Sequence, residues 1–177
     1  MWFKIVGLLD SNSQKDSVSE KTDVILPNSQ YGNLEDTYVK YFLKINAIRQ
    51  AKINGNVNIA KPVLLLAIID GVTEGDVKNN HIILNEYLEK RYNSLMGYFS
   101  KQTKTTPINM PFWHLETDGF WHLNIQGEKP KDTTPTTNWL KENVLYASLD
   151  KELWILLQNQ EWRTKLRNFI ITHKLSQ

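Results

Sequence analysis

The chain of 177 residues contains no cysteine. That excludes a disulfide framework, a thiolate zinc site and a cysteine nucleophile. Long apolar runs are missing too: the longest, Pro62 to Ile69, falls far short of the roughly 20 residues a bilayer-spanning helix needs. Met1 to Asp10 carries Lys4 and a short apolar patch without a signal-peptide h-region or small-residue cleavage site, so a cytoplasmic protein with no membrane partner is expected. HExxH, CxxC, a glycine-rich phosphate loop and a GxSxG elbow are all absent. Asp70, Glu74, Asp76, Glu86 and Glu89 fall at helix ends or on a helix surface, where capping or solvation accounts for them. They do not form a set that would hold a metal and aim a water. Neither catalysis nor a cofactor is expected.

What is present centres on Lys61-Pro62-Val63-Leu64-Leu65-Leu66-Ala67-Ile68-Ile69-Asp70-Gly71. A proline in the first turn and a glycine in the left-handed closing position suit a helix. A central strand is the rival, given the β-branched Val63, Ile68 and Ile69. An all-round apolar helix needs neighbours on most sides, so other elements must wrap it. Around it, spacings of three and four predict helices over Leu34 to Ile53, Glu86 to Phe99 and Gln160 to Thr172, with a further one starting at Asp150 or Leu149 beside it. Short strands are expected at Val24 to Leu26 and Ile82 to Leu84, a strand or packed arm at Met1 to Leu9, and a loop at Ser11 to Glu20. Asn138 to Asn143 reads as a helical turn, followed by Val144 to Leu149. The fold class is α+β: a mainly helical single domain around a buried central helix, with a small antiparallel hairpin or sheet. Residues 1–33 read as an arm and loops packed on a domain spanning 34–177.

Phe112 to Ile125 supplies the hairpin, with aromatic and aliphatic residues flanking Asp118-Gly119. A three-residue loop, Thr117-Asp118-Gly119 with the glycine left-handed, puts Trp113, Leu115, Trp121, Leu123 and Ile125 on one face. Phe112, His114, Glu116, Phe120, His122 and Asn124 then share the other. In that register His114 and His122 lie side by side with Glu116 near, either as surface residues or as a small metal or phosphate site.

Formal charge is only +2, so clustering matters more than the total. Lys40, Lys44, Arg49, Lys52 and Lys61 run without an intervening acid, and Arg163, Lys165, Arg167, His173 and Lys174 gather near the end. Met110-Pro111-Phe112 sets soft apolar groups at the lip of a polar loop bearing Lys101 and Lys104, with His114 beyond. An apolar notch with positive rims suits an anion carrying a polarizable, poorly hydrogen-bonding substituent.

At Lys61-Pro62-Val63-Leu64-Leu65-Leu66, and again from Met110-Pro111-Phe112-Trp113-His114-Leu115 to Asp118-Gly119-Phe120-Trp121, the sequence resembles the sulfur-binding domain that precedes HNH nuclease domains in phosphorothioate-dependent restriction endonucleases. Members typically read Pro-His-Lys-Pro-Leu-Leu-Leu-Leu at the first place. At the second they read Tyr-Pro-Phe followed by Asp-Gly-Leu/Phe-Trp. The match runs from about Lys40 to Thr172, with Ala60 where the pattern has histidine and Met110 where it has tyrosine.

The resemblance implies a helical domain with a small sheet that binds double-stranded, backbone-modified DNA. A cavity at Met110 and Pro111, with Phe112 and His114 beside it, would receive the sulfur. Lys61, with Arg49, Lys52, Lys101 and Lys104, would approach phosphates. An HNH nuclease domain or subunit is the implied partner, since no such constellation occurs in this chain. The chain would be either part of a longer polypeptide or a small protein serving that nuclease. Two rivals are a protein-interaction or structural domain of the same fold, and a hydrolase built on His114, His122 and Glu116.

Overall fold

The computed structural model describes residues 33–53, 55–100 and 105–176. The expectations for Met1 to Leu9, Ser11 to Glu20 and Val24 to Leu26, and those for Lys101 and Lys104, fall outside the described residues. Helix α1 (Leu34–Asn46) leads to a two-stranded antiparallel ribbon, β1 (Lys52–Ile53) and β2 (Asn56–Val57), and then to α2 (Ala60–Glu74). Next come α3 (Glu86–Phe99), the short α4 (Asn109–His114), a 3-10 turn (Leu115–Asp118) and β3 (Trp121–Ile125). The chain closes with α5 (Thr137–Asn143), β4 (Val144–Leu149), α6 (Lys151–Gln158), α7 (Gln160–Ile170) and a π-helical turn (Ile171–Leu175). No helix among the described residues is long and apolar enough to cross a membrane.

Helix α2 is the hub, as its composition demands. Pro62 through Gly71 are buried without a break, and α3, α4, α6 and α7 all pack on it. Wholly enclosed Leu64 and Leu66 each contribute about 1.5–3 kcal/mol by leaving water. The end of this helix differs from the expectation. Gly71 lies inside α2, and the left-handed closing residue is Gly75, at φ +83°. Gly71 answers a packing need instead: a Cβ there would come within 2.8 Å of Val77 Cγ2 and 3.3 Å of Tyr87 Cε1. Helix α1 also stops short of the expected Ile53, at Asn46, leaving Arg49 to Ala51 as the approach to the ribbon.

The expected 112–125 hairpin does not form. Residues before Gly119 are helical, and β3 pairs with β4, some twenty residues downstream, in the register Trp121↔Leu149 and Leu123↔Ala147. Gly119 does take a positive φ of 74°, but as the left-handed cap of the 3-10 turn. Helix wins because folding back lets Phe112 and Trp121 meet edge to face, ring centroids 5.3 Å apart, while Trp121 Nε1 donates to the Phe112 carbonyl at 2.9 Å. Trp113 and Trp121 are both buried, and so are Phe112 and Phe120, which the hairpin register had placed on the polar face. The expected strand at Ile82 to Leu84 reduces to one bridge, Ile82 exchanging hydrogen bonds of 2.7 and 2.8 Å with Ala147.

Candidate nucleic-acid interface

The first turn of α2, the approach to the ribbon and helix α4 enclose a cavity of about 380 Å³. Asn58 organises one wall. Its amide nitrogen donates to the Ala51 carbonyl at 2.7 Å, and its Oδ1 accepts from the Ala60 amide at 2.9 Å and from Thr106 Oγ1 at 3.3 Å. An Asx turn of this kind satisfies an amide that the start of a helix leaves unpaired. Gln50 Nε2 ties the approach segment to the Asn58 carbonyl at 3.2 Å. Opposite stands α4, whose third residue is Pro111, in the turn where a missing N–H costs nothing. Ala51, Ala60, Met110 and Pro111 give the cavity its apolar lining, and Arg49, Lys61 and His114 its rim.

Five residues expected at a DNA site on sequence grounds, Arg49, Lys61, Met110, Pro111 and His114, thus border one cavity. Phe112 turns the other way, into the core against Trp121. Lys52 is exposed on β1 and does not border the cavity. Gln50, Asn58, Thr106 and Thr117 line it without having been anticipated. For Asn58 a signal was available, a side chain able to cap a helix placed two residues before Ala60.

The rim cations differ in state. Arg49 is exposed and has no ion-pair partner among the described residues. Lys61 Nζ donates to Asp118 Oδ2 at 2.7 Å and lies 3.5 Å from Thr117 Oγ1, the Lys61 and Asp118 side chains being 16% and 8% exposed. Burial pushes the His114 imidazolium pKa down, and the Lys61 charge pushes it further, both favouring the neutral ring. Its Nε2 meets Thr134 Oγ1 at 2.7 Å.

His114, His122 and Glu116 are not brought together. His122 Nε2 bonds Asp150 Oδ1 at 2.7 Å, and Glu116 pairs with Lys129. Among the described residues no group of three or more histidines and carboxylates could hold a metal. The sequence clusters of positive charge are also largely spent on the fold. Lys40 pairs with Glu152, and Lys44 with Asp150 at 3.2 Å. Arg163 donates to the Leu157 carbonyl at 2.6 Å, and Arg167 to Asp70 at 2.7 Å. Lys174 is buried with its ammonium on the Asn46 carbonyl at 2.9 Å. Burial lowers its pKa, and Asp118 opposes that shift. Asp70 is therefore neither a cap nor a solvated acid but a buried counter-ion, and Arg163 and Arg167 work at the opposite end of α2 from the cavity.

Comparison with known proteins bears on the fold and the family. The sulfur binding domain of SprMcrA complexed with phosphorothioated DNA superposes with a TM-score of 0.61 at 16% identity, over 82% of this chain and 90% of that one. The sulfur binding domain of ScoMcrA, also complexed with phosphorothioated DNA, gives 0.61 at 18% identity, over 76% of this chain and 86% of that one. These superpositions establish a shared fold. No curated protein sequence matches significantly. The family model described as "ScoMcrA-like, DNA sulfur-binding domain" matches residues 40–177, most of the chain, and on that match the protein belongs to the ScoMcrA-like DNA sulfur-binding domain family.

Proposed function

We propose that this domain recognises double-stranded DNA by its phosphorothioate linkages and cuts nothing itself, serving a modification-dependent restriction system. The observation that carries the reading is the single cavity in which the apolar Ala60, Met110 and Pro111 meet the cations Arg49 and Lys61. A phosphorothioate keeps the charge of the linkage, so the cations attract it as they would any phosphate. Its sulfur hydrogen-bonds poorly, so an apolar notch penalises the ordinary oxygen more, because that oxygen gives up its water without a replacement. Ala60 and Met110 stand where the family pattern has histidine and tyrosine, positions that the resemblance ties to DNA contact. The preference for sulfur is accordingly modest, about tenfold or some 1.4 kcal/mol. The cutting partner in this reading is an HNH nuclease domain or subunit, as the family resemblance implies, and the compartment is the cytoplasm.

The test is equilibrium binding of the purified chain to matched duplexes with and without one phosphorothioate, at fixed salt. Tighter binding of the modified duplex is expected, together with intact plasmid after incubation with magnesium, manganese or zinc. Folded protein that binds neither duplex would leave an interaction domain of the same fold as the better reading.

A further inference from the structure

Lys61 borders the notch, and its charged end is held at the rim, beside Thr117, by a residue outside the lining. The ammonium bonds Asp118 Oδ2 at 2.7 Å, and Asp118 does not border the cavity. The anchor itself is firmly held. Lys44 Nζ clamps the next carbonyl, Gly119 O, at 2.8 Å, the Gly119 amide closes on the Glu116 carbonyl at 3.2 Å, and Thr117 Oγ1 donates to His114 O at 2.8 Å. With its side chain only 8% exposed, Asp118 is a poorly solvated carboxylate whose close ion pair is with Lys61, the Lys174 charge also acting on it, and water does little to loosen that pairing.

An ammonium offers three donors on a flexible stem. If it swung into the notch it would hydrogen-bond a phosphate oxygen there and cancel the penalty that oxygen otherwise suffers. Sulfur, a weak acceptor, would gain little. We propose that Asp118 is a specificity-determining positioning residue: by tethering Lys61 it keeps the notch free of a mobile donor, and so preserves discrimination against the unmodified linkage. The tethered Lys61 still adds positive charge to the rim, which serves both duplexes alike. This inference rests on the proposed function, and its test separates the two.

Asp118→Asn keeps the shape and removes the charge. The expected result is unmodified-duplex binding about tenfold tighter against about twofold for the modified one, so that the discrimination ratio shrinks about fivefold. Lys61→Met should weaken both duplexes while leaving the ratio within about twofold of wild type, and adding D118N to it should not move the ratio further. Thermal melts of each variant report folding, and K61M carries the test if D118N is unstable. Equal tightening on both duplexes would show that Asp118 merely neutralises charge and would overturn the inference. So would a K61M ratio displaced by more than about threefold. Wild-type protein that binds neither duplex would instead defeat the function reading, and this inference with it.

Discussion

Arg167 Nε meets Asp70 Oδ1 at 2.7 Å, joining α7 to the core of α2, while Arg91 Nη2 from α3 takes the other carboxylate oxygen at the same distance. Asp70 is 3% exposed, and the two arginines replace the water its carboxylate oxygens give up. Asp70→Ala would take the carboxylate from Arg167 beside the core and leave Arg91 with Glu74 alone, at 2.8 Å. Chemical denaturation should show a loss of about 3–5 kcal/mol. DNA affinity per folded molecule should not change, because the notch lies at the far end of the helix.

A second expectation concerns two glycines four residues apart. Gly71→Ala drives a methyl into Val77 Cγ2 at 2.8 Å and should cost about 1–3 kcal/mol in overpacking. Gly75→Ala meets nothing within 4 Å and suffers only from its φ of +83°, a cost of about 1 kcal/mol. Melting curves of the pair should rank G71A as the more damaged. The reverse order would return the helix end to Gly71.

Within the notch, charge and apolar surface should separate by experiment. Arg49→Ala ought to weaken modified and unmodified duplexes by the same factor and reduce the salt dependence by roughly one phosphate contact. Met110→Asp adds repulsion and removes apolar lining, so modified-duplex binding should fall further than unmodified. Dissociation constants for both duplexes at two salt concentrations decide this; equal losses with M110D would remove the notch as the source of preference.

Asp150 provides a pH-dependent check on the fold. Burial pushes its carboxyl pKa up, but hydrogen bonds from His122, Tyr41 and Lys44, at 2.7, 2.9 and 3.2 Å, prevail and hold it below the ordinary value. A carboxyl with a depressed folded-state pKa contributes fully above its unfolded value, about 3.9, and loses that contribution as pH falls through the folded value. Asp150→Asn should therefore cost about 1–3 kcal/mol at pH 7. The gap to wild type should hold down to about pH 5 and close below about pH 4. A gap that widens in acid would contradict the assignment.

The sequence was most legible where one stretch carried its own signals. Helix α3 runs from Glu86 to Phe99 as expected, because Asn85 caps it through the Leu88 amide at 3.0 Å and its apolar stripe is regular. The central helix was visible for the same reason, though two glycines near its end could not be ranked without knowing φ. The 112–125 hairpin failed because a left-handed glycine suits a hairpin bulge and a helix cap equally well. The spacing of Phe112 and Leu115, opened by Pro111 and closed by Gly119, was an equally good helical pattern. Most of the notch was legible as types, Met-Pro beside basic residues. That Lys40 and Lys44 would be claimed by Glu152 and Asp150 was not, since those acids arrive more than a hundred residues later. Charge clusters in a sequence count cations, and only the fold says which are left over.

The encasement of α2 has one more consequence. Its opening turn forms a wall of the notch while its next ten residues are locked among four other helices. The aperture therefore behaves as a fixed gauge rather than a jaw: tilting that wall would pull the whole interior with it. Fit to a ligand is set by what faces the opening, above all Met110, which is exposed and can be exchanged without redesigning the frame. Relatives that share the scaffold can thus diverge in what they accept through a few lining positions, each drift in preference leaving the architecture untouched.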